Sequence, residues 1–393
     1  MARTNLRPTA LCLAVLVFAV LPFSCSPFYT YEPPRETSDG WKTASLKQAG
    51  LDLQPLRDLV RRIHREKYRN IHAILVAKDG RVVFEEYFPG YRFDPEGNQF
   101  HGAFTEFHAD ETHNLASVTK LITATAVGAA IQRGDLADLD RPVLDFFPES
   151  RQLKDERRGR ITIRHLLTMT SGLEWNEMDI SIATVSGDHD LIRLWRAPDP
   201  IEFILAKPAV REPGSEWYYS GGDVNLLGET LKKATGMTLD AYAGKFLFEP
   251  MGIAKSKWLF LKDQVVYASG DLQLRPRDML KFGQLYLDGG VWNGRRILSE
   301  EWVAQATTAQ APITRDDWRK AQGDHYGYHW FLRTYRPQSG PVPCYLRTGW
   351  GGQKLAVFPS LGMVVALTGG NYTTPDPGHE IIERYILKAA ASP

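Results

Sequence analysis

Asn114-Leu115-Ala116-Ser117-Val118-Thr119-Lys120, with the apolar run to Ile131 and the Gly134 beyond it, is the stretch on which the reading of this chain turns. Asn114 is suited to cap a helix and Gly134 to end one, so a long helix through Ile131 is expected. Ser117 and Lys120 stand three apart, and on a helix their side chains share a face within one turn. A serine hydroxyl is a weak nucleophile until a neighbouring base takes its proton. Lysine serves when burial or a nearby cation favours its neutral form. In the first turn of its helix, Ser117 would also have free backbone N–H groups at hand for a developing oxyanion. With 17 serines and 17 lysines in the chain, about one Ser-x-x-Lys arises by chance. The pair therefore takes its meaning from the motifs further along the chain.

Two such signatures come in order, Tyr219-Ser220-Gly221 and Arg347-Thr348-Gly349. A phenol can relay protons, and a strand can present backbone donors to an oxyanion. A serine, an amine, a phenol and such a strand are the parts needed for acyl transfer through a covalent serine intermediate. Tyr218 competes with Tyr219, but the spacing from Pro213-Gly214 and to Leu226-Leu227-Gly228 favours Tyr219 and leaves Tyr218 to packing.

The remainder of the chain supplies a frame. Leu53 to His64 has helical periodicity, and Ile71 to Tyr87 reads as a hairpin turning at Asp79-Gly80. Pro89 to Thr112 reads as an irregular polar loop. Thr162 and Thr238 can cap helices, and Asp199-Pro200 with Glu202 reads as a capping box. Strand-like runs return at Tyr326–Thr334, Cys344–Arg347, Lys354–Phe358 and Gly362–Thr368, and His379 to Ala391 reads as a closing helix. The expected fold is α+β: an antiparallel sheet flanked by helices and built from residues 45–133 and 252–393, with a mostly helical region at 134–251.

Composition is that of a globular protein, 43% hydrophobic and 24% charged, with net charge +1. Such balance gives no electrostatic case for nucleic acid. Arg3 and Arg7 precede an apolar run from Thr9 to Phe23 that Pro22 interrupts, so residues 1–25 read as a signal peptide, too short for a membrane span. Cys25 is placed for lipidation, although Pro22 fits that pattern poorly, and plain cleavage or an uncleaved anchor stays open. Export to the periplasm, or anchoring as a lipoprotein, is expected, with residues 26–44 as a linker. Of the three cysteines, Cys344 reads as a packing residue and no disulfide framework follows. His101, His108, His113 and Asp110 match no common zinc spacing, and Asp188-His189-Asp190 reads as a solvated turn. No metal and no cofactor are expected.

These segments resemble the serine β-lactamase and penicillin-binding-protein superfamily, and within it the class C β-lactamase-like esterases and 6-aminohexanoate-dimer-hydrolase-like enzymes. The likeness runs over residues 45 to 390. It rests on the nucleophile segment, on Ile163 to Gly172, on Pro213-Gly214 with Trp217-Tyr218-Tyr219-Ser220, and on Arg277-Asp278 through Trp292-Asn293-Gly294. The resemblance implies acylation at Ser117, Lys120 as its base, Tyr219 as a proton relay, and an oxyanion hole from the backbone N–H groups of Ser117 and Trp350. It places Arg347, Thr348, Gly349 and Trp350 at the substrate.

Two departures stand out. Gly221 occupies the place of the asparagine that the resemblance implies for holding an acyl-side amide, which weakens a β-lactam or D-Ala-peptide reading. Arg347 replaces the usual lysine or histidine, keeps a cation near Tyr219, and is expected to bind a substrate carboxylate. Trp175, with Trp350, is a candidate pocket wall for apolar acyl groups. The expected partner is a small ester or amide substrate. The alternatives are a D-Ala-D-Ala carboxypeptidase or β-lactamase, and a silent member that binds cell-wall fragments.

Overall fold

A computed structural model describes residues 29–179 and 188–391. The signal segment and Cys25 lie outside the described residues. Among the described residues no helix is long and apolar enough to cross a membrane.

A nine-stranded sheet forms the body, and both ends of the chain supply it. The N-terminal part gives β1 (Lys42–Thr43), β2 (Ile71–Lys78) and β3 (Arg81–Tyr87). A separate two-stranded ribbon follows, β4 (Gly90–Phe93) with β5 (His101–Thr105). The C-terminal part gives β6 (Ala311–Pro312), β7 (His325–Tyr326), β8 (Phe331–Tyr335), β9 (Val342–Gly349), β10 (Gln353–Phe358) and β11 (Met363–Gly369). The strand order is β1-β3-β2-β11-β10-β9-β8-β7-β6. All pairs are antiparallel except β1 with β3, which is parallel at the edge.

Local chemistry sets many of these boundaries. Asp79 (φ 51°) and Gly80 (φ 74°) are both left-handed, the geometry of a tight two-residue hairpin. Helix α1 (Leu53–His64) begins at Asp52, whose carboxylate accepts from the Gln54 N–H. Helix α2 (Thr119–Arg133) is buried at every position from Thr119 to Ala130 and stops at Gly134, φ 76°. Helix α3 (Gly221–Thr235) is capped by the Ser220 hydroxyl. Helix α4 (Pro276–Leu287) packs on β11, β10 and β2.

Several expectations change. Residues 89–112 are not an irregular loop, because β4 and β5 pair there and their aromatic rings stack. The expected linker is packed: Trp41 is 2% exposed and donates its indole N–H to the Arg277 carbonyl. The expected strand Tyr326–Thr334 is two strands folded at His329, φ 60°. Asp199 caps its helix, but Glu202 bonds the Ser150 hydroxyl instead of completing the box. Asp188-His189-Asp190 is not a solvated turn: His189 and Asp190 are buried, and Asp190 pairs with Lys207.

Arg277 fastens the N-terminal segment to this frame. Its guanidinium takes Glu85 of β3 through two bonds, Asp39 at 3.3 Å, and the Arg35 carbonyl. All three charged side chains are under a tenth exposed. Removing the cation strands two buried carboxylates. Arg277→Ala is expected to lower unfolding stability by about 3–5 kcal/mol, read as a shift in the urea midpoint at pH 7.

Candidate active site

Ser117 sits in a 3-10 turn, Ala116–Val118, just before α2. The Asn114 side chain accepts from the Ala116 N–H at 2.7 Å, but the N-cap of the turn is Leu115 and that of the α-helix proper is Val118, so Asn114 is not the expected helix cap. Ala116 is held at φ 44°, an unfavourable conformation for a residue with a side chain. Lys120, one turn on, is 1% exposed. Its ammonium reaches Ser117 Oγ at 3.0 Å and the Ser269 carbonyl at 2.7 Å.

Tyr219 immediately precedes α3 and its cap. Its ring centroid lies 4.9 Å from Lys120 Nζ, and its hydroxyl accepts from Arg347 Nη2 at 3.1 Å. Tyr218 turns outward and donates to Asp179. Ser117, Lys120 and Tyr219 thus meet from two distant segments, and Ser117 and Tyr219 line one cleft of about 710 Å³ with Thr348, Gly349 and Trp350.

Gly349 ends β9 against the nucleophile turn. A Cβ there would lie 2.5 Å from the Leu115 carbonyl oxygen and 3.1 Å from the Ser117 nitrogen, so only glycine permits this approach. Thr348 donates to Gln322 at 2.9 Å. Trp350 donates its indole N–H to the Tyr372 carbonyl and packs against Phe100, Phe93 and Tyr372. The β4–β5 ribbon, through Phe93 and Phe100, therefore builds the aromatic wall behind Trp350.

Arg347 and Trp175 lie elsewhere than expected. Arg347 is 0% exposed and does not line the cleft. Its Nε donates to the Ser117 carbonyl at 2.9 Å and its Nη1 to the Tyr326 hydroxyl at 2.8 Å, so its donors are committed to the protein. A substrate carboxylate cannot reach it. Trp175 is 2% exposed, behind the cleft wall, where its indole N–H donates to Glu177 at 2.8 Å.

Other residues complete the site without a signature of their own. Glu177, Met178, Asp271, Trp318 and Gln322 line the cleft, and Ser269 supplies a carbonyl to Lys120. Burial raises the Asp271 carboxyl, with Lys120 opposing the rise. His329 donates or accepts at the Tyr326 hydroxyl at 3.0 Å, and burial with the Arg347 and Lys120 charges holds it neutral, well below its ordinary pKa. Cys344 is buried in β9, and burial pushes its thiol up. His113 pairs with His72, His101 stacks on Tyr91, and His108 lies by Glu111. Among the described residues no group of three such side chains could hold a metal ion.

Beneath Tyr219, Asp223 is fully buried and accepts from the Ser171 and Ser220 hydroxyls through one oxygen. Burial raises its pKa to about 7, and the Glu177 charge adds to the rise. The native state therefore keeps a proton that the unfolded chain loses near pH ~4. Its contribution to stability is lost as the pH climbs from about 4 through 7. Asp223→Asn should show a smaller decline in urea stability between pH 5 and pH 8 than the wild type. Arg347→Lys should cost about 1–3 kcal/mol in the same assay, because one ammonium cannot reach Ser117, Tyr326 and Tyr219 together.

Comparison with known proteins places the chain by family and fold. The beta-lactamase family model matches residues 56–391. Esterase EstB of Burkholderia gladioli is 32% identical over 46% of this chain and 44% of its own. The 6-aminohexanoate-dimer hydrolase of Paenarthrobacter ureafaciens is 27% identical over 50% of this chain and 51% of its own. The chain thus spans about half the length of these curated relatives. An octameric penicillin-binding protein homologue from Pyrococcus abyssi shares the fold, with TM-score 0.60, 22% identity, and coverage of 85% of this chain and 76% of that one. With its matched segment running from α1 to the closing helix, this chain belongs to the beta-lactamase family.

Proposed function

We propose that the protein is a serine hydrolase that cleaves an ester or a small amide through an acyl-enzyme on Ser117. The observation that carries the proposal is the 3.0 Å contact of Lys120 Nζ with Ser117 Oγ inside a cleft that Tyr219 also lines. Lys120 Nζ takes the Ser117 proton as Oγ bonds to the substrate carbonyl carbon. In this reading the resulting oxyanion is held by the backbone N–H groups of Ser117 and Trp350, and the close approach of Gly349, next to Trp350 in the chain, to the Ser117 nitrogen supports it. The bond to the leaving alcohol or amine then breaks, and the proton returns to it by way of Tyr219. Water attacks the acyl carbon in the second half, loses its proton along the same path, and releases Ser117.

Arg347 acts through others. It holds the Ser117 carbonyl and the Tyr219 oxygen, leaving the phenol proton free for the cleft. The names esterase and 6-aminohexanoate-dimer hydrolase among the relatives support an ester or amide substrate. The basic, apolar opening of the chain supports export of the enzyme, with Cys25 as the lipidation site if it is anchored.

A fluorophosphonate probe is expected to label the wild type and not Ser117→Ala, which should lose ester turnover by about 10⁴-fold or more. Tyr219→Phe should retain slow labelling and lose about 10²–10⁴-fold in turnover. Equal labelling of wild type and Ser117→Ala would remove the assignment. Stable labelling by a fluorescent penicillin would redirect it to D-Ala peptides or β-lactams.

A further inference from the structure

Two buried histidines sit at the base of the β4–β5 ribbon and take no part in the chemistry at Ser117. His72 is on β2, and its Nδ1 lies 2.8 Å from His113 Nε2. His113 Nδ1 in turn lies 2.9 Å from the Asn114 carbonyl oxygen. A carbonyl only accepts, so His113 Nδ1 carries a hydrogen and donates it. In the neutral pair His113 Nε2 therefore accepts from His72 Nδ1, and His72 Nε2 is left as a bare lone pair. That nitrogen is buried and has no hydrogen-bond partner among the described residues.

The four ring nitrogens share two hydrogens when the pair is neutral and three once a proton is added. One stays on His113 Nδ1, and the contact between the rings holds one more. The third falls on His72 Nε2, whichever ring carries the charge. There it meets backbone instead of an acceptor: a Cβ on Gly90 would fall 2.2 Å from this nitrogen, and one on Gly370 3.1 Å. A buried N–H without a partner is costly.

The surrounding charges oppose the added proton. Burial holds both histidines below their ordinary range, His113 at about 4. His113, His101 and Arg92 add to the effect on His72, and Arg92 adds to that on His113 while the Asn114 carbonyl works against it. Phe107 stacks on His72 at 4.4 Å, with the Arg92 guanidinium over its ring. The carboxylates nearby are engaged, Glu111 with Arg92 and His108, and Asp271 with the Asn114 side chain. Both glycines that crowd His72 Nε2 lead to the cleft. Gly90 opens β4, which carries Phe93 to the cleft wall. Gly370 precedes Asn371 and Tyr372, and the Tyr372 carbonyl takes the Trp350 indole N–H.

We infer that the His72–His113 pair is an acid-sensitive catch for the β4–β5 ribbon: a proton on His72 Nε2 displaces Gly90 and Gly370, frees the ribbon and unseats the aromatic wall around Trp350. The cleft is thus complete at neutral pH and loses that wall in acid, whatever reaction Ser117 performs. In the released ribbon both histidines titrate near pH ~6.5. Protons therefore favour release as the pH falls below that value, and the gain levels off near the native value of about 4 for His113. Between pH 7.5 and pH 4.5 each histidine shifts the balance toward release by about 10²-fold.

Hydrogen exchange of the whole protein, corrected for the intrinsic rate at each pH, tests this. In the wild type, residues 90–105 are expected to lose about 10²-fold or more in protection between pH 7.5 and pH 4.5. The loss should reverse on return to pH 7.5, while β10 and β11 keep their protection. His72→Asn keeps a donor for His113 Nε2 and lacks the second nitrogen, so its ribbon should lose at least about tenfold less. His113→Gln, an acceptor that does not titrate, should behave in the same way. A ribbon that stays protected in acid, or that opens only together with β10 and β11, overturns the catch. So does a wild-type loss of protection that both variants reproduce in full. If neither variant folds at pH 7.5, the pair is a structural element only and the inference fails. Fluorophosphonate labelling of the same samples should slow in step with ribbon release. A wild type that never labels sinks the acyl-enzyme reading and leaves the exchange result to decide this one.

Discussion

Arg347 carries a charge into the interior, and no carboxylate pairs with it among the described residues; it meets neutral oxygens instead. A buried cation survives only when its donors are hydrogen-bonded, and a guanidinium presents five of them in a fixed plane. Here they reach the Ser117 carbonyl, the Tyr219 hydroxyl, the Tyr326 hydroxyl and the His329 carbonyl. Those four groups belong to the nucleophile turn, the entry to α3 and the β7–β8 fold-back. One side chain on β9 therefore ties the sheet to both helical segments that carry the reacting groups. Displacing any of the three would leave part of the charge unsolvated.

The neutral state of His329 belongs to the same constraint. A second positive charge beside Arg347 and Lys120 would be opposed by both, and burial already disfavours it. His329 can thus hold the Tyr326 hydroxyl without adding to the local charge. The tight packing of Gly349 on Leu115 and Ser117 works at shorter range, through sterics rather than charge. Together these contacts give the nucleophile a rigid setting on elements whose cores are fully buried, as in β10 and β11.

Around this rigid centre, the cleft walls come from segments of very different character. The β4–β5 ribbon supplies rings that pack against Trp350, and the stretch before the 190–196 helix supplies Glu177 and Met178. Chemistry at Ser117 and recognition around it are therefore carried by separate parts of the chain. Recognition can vary in these walls while the nucleophile turn, α3 and β9 keep their mutual geometry. Gly221 is the point where the two meet, since it closes the Tyr219-Ser220-Gly221 motif and leaves space for Glu177.

Elements governed by local chemistry were legible in the chain itself. The α1 boundaries, the Asp79-Gly80 turn, the Gly134 stop and the approach of Ser117 to Lys120 all depend on neighbours within a few residues. The ordered motifs also marked the fold and Tyr219. What lay beyond reach was set by contacts between distant segments. The residue name alone offered Arg347 to a substrate carboxylate, whereas packing buries it on Ser117 and Tyr219. Trp175 is a plausible pocket wall by type, yet it lies behind Glu177. Glu177 itself belongs to no motif, and its place at the cleft depends on a Gly221 amide 44 residues away. Short-range periodicity and turn chemistry write the identity of the parts into the chain; whether a given side chain faces solvent, substrate or another buried group is decided only when remote segments pack and desolvate it.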